Sequence, residues 1–174
     1  MTDAITPSPA LEWRPMTTAD LDGVVEVAKV SFPDHPEDLA CFDNRLTLNP
    51  QSCFVLSDEQ GGVHGYLVAY PWVRNAAPAL NTLIDALPEH PEVIYLHDLA
   101  LHPSTRGGGY TRPVVEALAQ QARSAGFERI SLVAVNNAAG FWERNGFKVM
   151  TPDGMAAKLA SYGDDARYME RDIL

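Results

Sequence analysis

The sequence predicts an α/β fold in which helices cover both faces of a mixed central sheet. Residues 52–57 and 63–72 have the pattern of two strands joined by a Gly-containing turn, which indicates a β-hairpin. From residue 93 onward, strand-like and helix-like runs alternate, as in strand–helix–strand units packed on one sheet. With 174 residues, 46% of them hydrophobic, the chain can bury one core, so we expect a single domain at 11–174. The polar, Pro-containing start at 1–10 is predicted to be a disordered tail.

Helix caps and helix breakers predict the other elements of the first half. Thr17 and Asp20 have the spacing of a capping box, which favours a helix start before an apolar run. Asn49-Pro50 ends a second helical pattern, because a residue before proline disfavours helical angles. The predicted elements are a strand at 11–16, helices at 21–30 and 37–48, the hairpin strands, and a connection at 72–91 with a short helix near 80–87.

The second half alternates between strands and helices. A strand-like apolar run at 93–101 is followed by a glycine-rich loop and then by a helical pattern. Pro113 is tolerated in a first helical turn, so this helix begins close behind the loop. The predicted elements are a strand at 93–101, a helix at 111–125, a strand at 129–135, a helix at 138–145, a strand at 147–150 and, after a loop rich in Gly and Asp, a strand at 167–173.

The loop between the strand at 93–101 and the next helix has the sequence Arg106-Gly107-Gly108-Gly109-Tyr110-Thr111. Glycines let the backbone turn sharply and approach a ligand without steric hindrance. The first amides of the following helix lack intrahelical partners and attract anions. Arg106 adds a forked cation that suits phosphate oxygens. The pattern therefore predicts a site for a phosphate-bearing ligand.

Two common phosphate motifs do not fit this loop. A P-loop continues with Lys and Ser or Thr, whereas Tyr110 follows Gly109 here. A dinucleotide fingerprint needs a third glycine at the position of Arg112 and an acidic residue after the next strand, where Asn136 stands instead. Nucleoside triphosphate hydrolysis and Rossmann chemistry are thus disfavoured.

Three segments together resemble the GNAT superfamily of N-acetyltransferases. Residues 98–109, with Pro103 before Arg106-Gly107-Gly108-Gly109, are similar to the family's central acyl-CoA motif. Residues 137–147, from Asn137 to Gly146-Phe147, are similar to its second motif, and residues 13–21 resemble its first strand and capped helix. The resemblance covers nearly the whole chain and implies a mixed, mostly antiparallel GNAT-like sheet.

The resemblance implies transfer of the acetyl group of acetyl-CoA to a primary amine of a small molecule or peptide. An amide near Leu101 would stabilise the oxyanion. The family resemblance is also compatible with a homodimer, although no residue of the sequence demonstrates one. The residues implied to contact the coenzyme are Leu99, Ala100 and Leu101 along the pantetheine arm, Arg106, Gly107, Gly108, Gly109, Tyr110 and Thr111 at the pyrophosphate, and Asn136 or Asn137 with Trp142 beside the arm.

The catalytic candidates are Asp98, His97 and Tyr95 on the strand before the loop. An alkylammonium of pKa ~10 must lose a proton before it attacks a carbonyl, so a base is needed. Asp98 is the first candidate for this base or for an acceptor anchor; alternatively, it satisfies a nearby amide. His97 titrates in the useful range, or is a buried, hydrogen-bonded residue. Period two places Tyr95 and His97 on the face opposite Asp98, so we expect no His97–Asp98 dyad. His97 and His102 are five residues apart, an odd spacing on a strand, which argues against a shared metal.

One position departs from the family pattern. Trp142 stands where the family often has a tyrosine that protonates the leaving thiolate, and an indole is not an acid near neutral pH. Either the thiolate leaves without an acid, or a water molecule, Tyr110 or Tyr168 protonates it.

The alternative to an N-acetyltransferase is a non-catalytic acyl-CoA-binding or regulatory module on the same fold. Transfer to a hydroxyl, or of a longer acyl group, stays open.

Three variable segments, at 31–39, 72–91 and 151–165, are expected to bound the acceptor pocket. They carry acidic side chains, most of which we expect to be solvated surface charges. Those residues are Asp34, Glu37, Asp38, Asp85, Glu89, Asp164 and Asp165.

Charge and composition narrow the partners. The formal net charge of −10 disfavours nucleic acid and mildly favours a cationic substrate. No apolar run reaches the roughly 18 residues of a membrane span, and the start lacks the pattern of a signal peptide. Two cysteines, Cys41 and Cys53, cannot build a disulfide framework, so we expect free thiols and a cytoplasmic protein.

Overall fold

A computed structural model of the protein describes residues 10–34 and 37–174. Nine of the ten residues of the predicted tail, 1–9, lie outside this part of the chain, as do residues 35 and 36 of the first loop. The strands are β1 (Glu12–Pro15), β2 (Cys53–Ser57), β3 (Val63–Trp72), β4 (Val93–Leu101), β5 (Arg129–Ala134), β6 (Lys148–Val149) and β7 (Arg167–Asp172). The helices are α1 (Leu21–Ser31), α2 (Leu39–Leu48), α3 (Thr111–Ser124), α4 (Ala139–Arg144) and α5 (Ala156–Tyr162).

The seven strands form one sheet in the order β1-β2-β3-β4-β5-β7-β6. Every neighbouring pair is antiparallel except β4 and β5, which confirms the mixed, mostly antiparallel sheet. Within the described chain, β4 and β5 pair only at Ile94–Ile130 and Tyr95–Ser131. The two strands therefore separate toward their C-terminal ends and leave an open edge on each.

A β-bulge in β4 changes which side chains share a face of the sheet. Val68 of β3 lies opposite Asp98, but Ala69 lies opposite Leu96, so His97 is an extra residue in the ladder. His97 and Asp98 consequently point to the same face, and the predicted strict alternation is wrong from Asp98 onward. The register is set by pairing with β3, which the sequence of β4 alone does not reveal.

Helices cover both faces of the sheet, as predicted. On one face, α1 and α2 pack against Tyr66, Val68 and Tyr70 of β3. On the other face, α3 and Trp142 of α4 pack against Leu67 and Ala69. Two apolar layers thus enclose the sheet and hold the ends of β4 and β5 in fixed positions.

The connection between β3 and β4 contains no helix among its residues, all of which the structure describes, so the predicted helix near 80–87 is wrong. Side chains of α2 satisfy the backbone of this loop instead. Asn44 donates from Nδ2 to the carbonyl of Ile84 at 2.9 Å and accepts from the Ile84 amide at 2.9 Å. Because these polar groups already have partners, the segment needs no helical hydrogen bonds there.

Two other boundaries differ from the prediction. Helix α2 begins at Leu39 and not at residue 37, which leaves Glu37 in the preceding loop. Helix α5 lies within a segment that the sequence predicts to be a loop, because seven helical residues flanked by Gly and Asp give too short a periodic signal. No helix in the described part of the chain has the length and apolarity that crossing a bilayer requires.

Candidate active site

A cleft of about 510 Å³ opens where β4 and β5 separate. This volume lies in the range of small-molecule sites. A second depression of about 340 Å³ adjoins the cleft and shares Leu101, Thr111 and Phe141 with it. The two form one continuous surface that runs from the glycine loop to Glu37 in the loop before α2.

The glycine loop forms one end of this surface. Gly107 and Gly109 have φ angles of +82° and +76°, a region that side chains with a Cβ atom rarely adopt. The amide of Gly108 donates to the carbonyl of Thr105 at 3.3 Å. Among the described residues, the amides of Gly107, Gly109 and Tyr110 have no acceptor. Three backbone donors just before α3 are therefore available to a ligand.

The loop is held in place from β1. The indole Nε1 of Trp13 donates to the carbonyl of Tyr110 at 2.8 Å, a bond between residues 97 positions apart. Arginines surround the loop: Arg106 lines the cleft, and Arg112 and Arg144 line the second depression. In a chain with a net charge of −10, these cations concentrate positive potential at one end of the site.

The two asparagines after β5 have different surroundings. Both adopt left-handed angles, with φ of +55° at Asn136 and +60° at Asn137. Asn136 lines the cleft. The backbone amide of Asn137 donates to Oδ2 of Asp165 at 2.7 Å, and Asn137 does not line the cleft.

The other end of the cleft contains a buried imidazole–carboxylate pair. His97 Nε2 lies 2.6 Å from Oε1 of Glu37, and the two side chains are only 4% and 6% exposed. The Tyr70 hydroxyl lies 3.2 Å from Nδ1 of His97. Burial acts to raise the pKa of Glu37, but His97 and the Asn81 amide stabilise the carboxylate and hold its pKa below the ordinary value.

Asp98 follows His97 on the same face of the sheet. Its Oδ2 accepts a hydrogen bond from the Tyr66 hydroxyl at 2.6 Å. Burial and the adjacent Asp98 raise the pKa of Tyr66 well above its ordinary value, so Tyr66 stays a donor at neutral pH. Two carboxylates, Asp98 and Glu37, thus line the same cleft.

The third catalytic candidate has a different environment. Tyr95 is 1% exposed and does not line the cleft. Its ring packs behind that of His97, with the centroids 6.0 Å apart. Burial raises the pKa of its hydroxyl well above the ordinary value. Tyr95 therefore supports His97 from the core.

Trp142 lines the cleft and packs edge-on against Phe141 and Phe147, at centroid distances of 5.1 and 5.3 Å. Tyr168, by contrast, is fully buried, and its hydroxyl donates to Oε2 of Glu170 at 2.9 Å. It does not line the cleft.

Tyr162 of α5 lines the cleft but is not among the site residues predicted from the sequence, because no helix is predicted there. Its hydroxyl donates to the carbonyl of Pro78. Burial raises the pKa of Tyr162 to about 12. The only sequence signal for Tyr162 is that it is an aromatic residue within the third variable segment.

All three variable segments contribute to the end of the cleft that contains His97 and Glu37. The first provides Ser31, Phe32 and Glu37, the second Leu80, and the third Tyr162. Of the seven acidic residues named in these segments, all within the described chain, Glu37 alone lines the cleft.

Most residues predicted to bind the coenzyme lie on this surface. The cleft is lined by Leu99, Ala100, Leu101, Arg106, Thr111, Asn136 and Trp142, and the second depression by Gly107, Gly109 and Tyr110. Gly108 and Asn137 line neither.

Comparison with solved structures gives the same fold. A structure of Ard1 from Thermoplasma volcanium superimposes with a TM-score of 0.72 at 18% identity, covering 95% of this chain and 99% of that one. The GphF GNAT-like decarboxylase in complex with isobutyryl-CoA gives 0.76 at 17% identity, covering 94% and 100%. A GNAT family N-acetyltransferase (YhbS) from Escherichia coli in complex with CoA gives 0.61 at 17% identity, covering 99% and 86%.

Sequence comparison identifies the family. A Bacillus subtilis (strain 168) protein named "Uncharacterized N-acetyltransferase YycN" is 39% identical over 69 residues, which cover 37% of this chain and 44% of the relative. The match therefore spans less than half of that relative. The profile of the Acetyltransferase (GNAT) family matches residues 12–147. The chain belongs to the GNAT acetyltransferase family.

Proposed function

We propose that the protein transfers the acetyl group of acetyl-CoA to a primary amine of a small molecule or peptide. One observation carries the proposal: two adjoining depressions join arginines and loop amides, which have no acceptor among the described residues, at one end to the carboxylates of Glu37 and Asp98 at the other. The first end suits a diphosphate and the second an amine. Between them lies an unpaired strand edge.

The donor binds along β4 and the glycine loop. Backbone groups of residues 99–101 pair with the pantetheine arm, as an extended ligand pairs with an open strand edge. Arg106 and the loop amides hold the pyrophosphate, and Arg112 and Arg144 neutralise further phosphate charge. Asn136 contacts the arm beside Trp142; its position on the cleft wall supports it over Asn137.

In the reaction, the amine nitrogen attacks the thioester carbonyl, the C–S bond breaks and CoA leaves as a thiolate. An amide near Leu101 stabilises the oxyanion. Asp98 anchors the ammonium and accepts its proton, directly or through water. His97 has both ring nitrogens engaged, by Glu37 and Tyr70, so it positions the Glu37 carboxylate and serves less well as a base.

The leaving thiolate lacks the tyrosine that the family often has at the position of Trp142. Trp142 packs against the arm, and a thiol of pKa ~8.5 is an adequate leaving group without an acid.

Two free, buried cysteines and the acidic net charge support a cytoplasmic enzyme that does not bind nucleic acid.

The test is thiol release from acetyl-CoA in the presence of a panel of primary amines, with mass spectrometry of the products. We expect amine-dependent release and a product heavier by one acetyl group. Calorimetry with CoA and acetyl-CoA runs in parallel. Tight coenzyme binding without release for any amine would instead favour a non-catalytic acyl-CoA-binding module, and absence of coenzyme binding would refute both.

A further inference from the structure

Glu37 reaches the cleft from a loop, so its direction depends on the groups that its carboxylate contacts. His97 Nε2 lies 2.6 Å from Oε1, and the backbone amide of Asn81 donates to Oε2 at 3.2 Å. Each oxygen thus has its own partner. A carboxylate has about four lone-pair sites, so these two bonds leave acceptor capacity for the N–H groups of a bound ammonium. His97 and Asn81 therefore orient the carboxylate without saturating it.

Asn81 also holds the backbone that follows Glu37. Its side-chain Oδ1 accepts from the Asp38 amide at 2.9 Å and from the Cys41 thiol at 3.4 Å. The φ angle of Asn81 is +52°, in the left-handed region that asparagine adopts more readily than most residues. In this conformation both the amide and the side-chain oxygen of one residue contact the same segment, 37–41. Asn81 thus joins the second variable segment to the first.

The loop that carries Asn81 is itself fixed to α2. Asn44 accepts from the Ile84 amide and donates to its carbonyl, each at 2.9 Å. Arg45, which is buried, donates to the carbonyl of Thr82. These bonds attach the loop to a helix that packs on the sheet, so the Asn81 amide is presented to the carboxylate from a rigid support.

We infer, on the basis of the proposed function, that Asn81 is a positioning residue for the acceptor amine. It acts through Glu37: by holding Oε2 and the Asp38 amide, it directs the carboxylate toward the ammonium. Asn81 does not line the cleft, whereas Glu37 does. It therefore contributes to acceptor affinity without contacting the acceptor, and it has no part in binding the coenzyme.

The test compares two glycine substitutions in the same loop. Asn81→Gly keeps the left-handed backbone but removes Oδ1. Asn75→Gly is the matched control, because Asn75 has a φ of +59° and bonds the Tyr168 hydroxyl through its backbone amide at 3.0 Å. The probe is whichever of phenethylamine, spermidine and a peptide with a free α-amino group the wild type acetylates with the highest kcat/KM. Steady-state kinetics give KM and kcat, and calorimetry gives the affinity for CoA.

We expect Asn81→Gly to raise the KM for the amine by about fivefold, because a hydrogen bond that orients its partner is lost. The kcat and the affinity for CoA should stay unchanged, since the lost interaction is the same in the ground state and the transition state. Asn75→Gly should change none of the three quantities.

A double-mutant cycle separates positioning from general structural damage. In the Glu37→Gln background, Asn81→Gly should raise KM by less than about twofold, because the charge that Asn81 orients is gone. Damage unrelated to Glu37 would add fully. Asp38→Pro removes the same hydrogen bond from the donor side, and its φ of −76° suits proline. We expect it to raise KM to a similar extent.

The outcomes separate this inference from the proposed function. Equal KM values for Asn81→Gly and Asn75→Gly, or full additivity with Glu37→Gln, would overturn the inference, while acetylation by the wild type would still support the proposed function. Acetylation of none of the amines by the wild type would overturn both. If circular dichroism shows that Asn81→Gly does not fold, Asp38→Pro decides by the same KM criterion.

Discussion

Glu37 and His97 form a buried pair 2.6 Å apart although 60 residues separate them in the sequence. Glu37 belongs to the loop before α2, and His97 is the bulged residue of β4. His97 lies on the face of the sheet on which α2 packs, and the bulge at His97 brings Asp98 to the same face.

We expect Glu37→Gln to lower kcat/KM for the amine by about tenfold or more, because the acceptor loses a charged partner worth ~1.5–3 kcal/mol. The dissociation constant for CoA should stay unchanged. Steady-state kinetics and calorimetry measure the two effects. Asp34→Asn, at an exposed residue of the same loop, is the matched control. Equal activity of the two variants would contradict a role for Glu37 at the acceptor end.

Gly109→Ala should weaken CoA binding by about tenfold, because the left-handed backbone costs ~1–2 kcal/mol and alters the direction of the loop amides. Gly126→Ala is the control: its φ is +90°, and an added Cβ at either glycine meets no atom within 4 Å. Both variants should lose similar free energy of unfolding in urea titrations. If both also lost CoA affinity equally, strain alone would explain the result and the loop would have no special role.

Asn136→Gly should raise the KM for acetyl-CoA several-fold, and Asn137→Gly should not. Glycine preserves the positive φ at both positions, so only the side chains are removed. Asn137 uses its backbone amide to bond Asp165, and that bond survives the substitution. Kinetics at saturating amine measure the difference, and the reverse ranking would assign the contact to Asn137.

Trp142→Tyr should change the pH dependence of kcat while the protein keeps its fold. A phenol beside the arm can donate a proton to the departing thiolate, which an indole cannot. The measurement is a pH–rate profile of both proteins, with near-ultraviolet circular dichroism as the check on packing. Superimposable profiles would exclude a role for proton donation from this position.

Acid stability should depend on Asp20, whose carboxylate accepts two hydrogen bonds from Arg14 at 2.7 and 2.8 Å. The Arg14 guanidinium holds the pKa of Asp20 below its ordinary value. A lowered folded-state pKa stabilises the protein above the unfolded pKa of ~3.9, and this contribution is lost as the pH falls through the folded value.

Asp20→Asn should therefore lower the free energy of unfolding by about 1–2 kcal/mol at pH 7 and by much less near pH 3. Urea titrations at both pH values measure the difference. Asp22→Asn, at an exposed residue of α1, should have little effect at either pH. A constant deficit of Asp20→Asn across this range would indicate that its charge is not involved.

Local patterns predicted the fold well. The strand at 93–101, the glycine loop and the helix behind it depend on neighbouring residues, and the mixed sheet with helices on both faces is confirmed. Features that depend on distant partners were not predictable. The register that places Asp98 on the same face as His97 is set by β3, and the Asn44–Ile84 bonds replace the helix predicted near residues 80–87.

The candidate site likewise contains residues that local patterns predict and residues that they do not. Coenzyme candidates such as Arg106 and Asn136 belong to motifs and lie on the cleft, although their roles stay predictions. Glu37 was only one of seven acidic loop residues, and Tyr162 belongs to a helix too short to detect from periodicity. The end of the cleft that we propose for the acceptor is assembled from segments far apart in the chain, where local sequence patterns carry little information.

The bond from Trp13 to the carbonyl of Tyr110 makes the glycine-loop end of the cleft dependent on the outermost strand of the sheet. Edge strands fray more readily than central ones, because they are paired along one side only. Opening of β1 would release the loop carbonyl and let the amides beside it reorient. With the coenzyme bound as we propose, its exchange would be linked to local unfolding at the sheet margin, and ligand saturation would slow amide hydrogen exchange in a strand that the coenzyme need not contact.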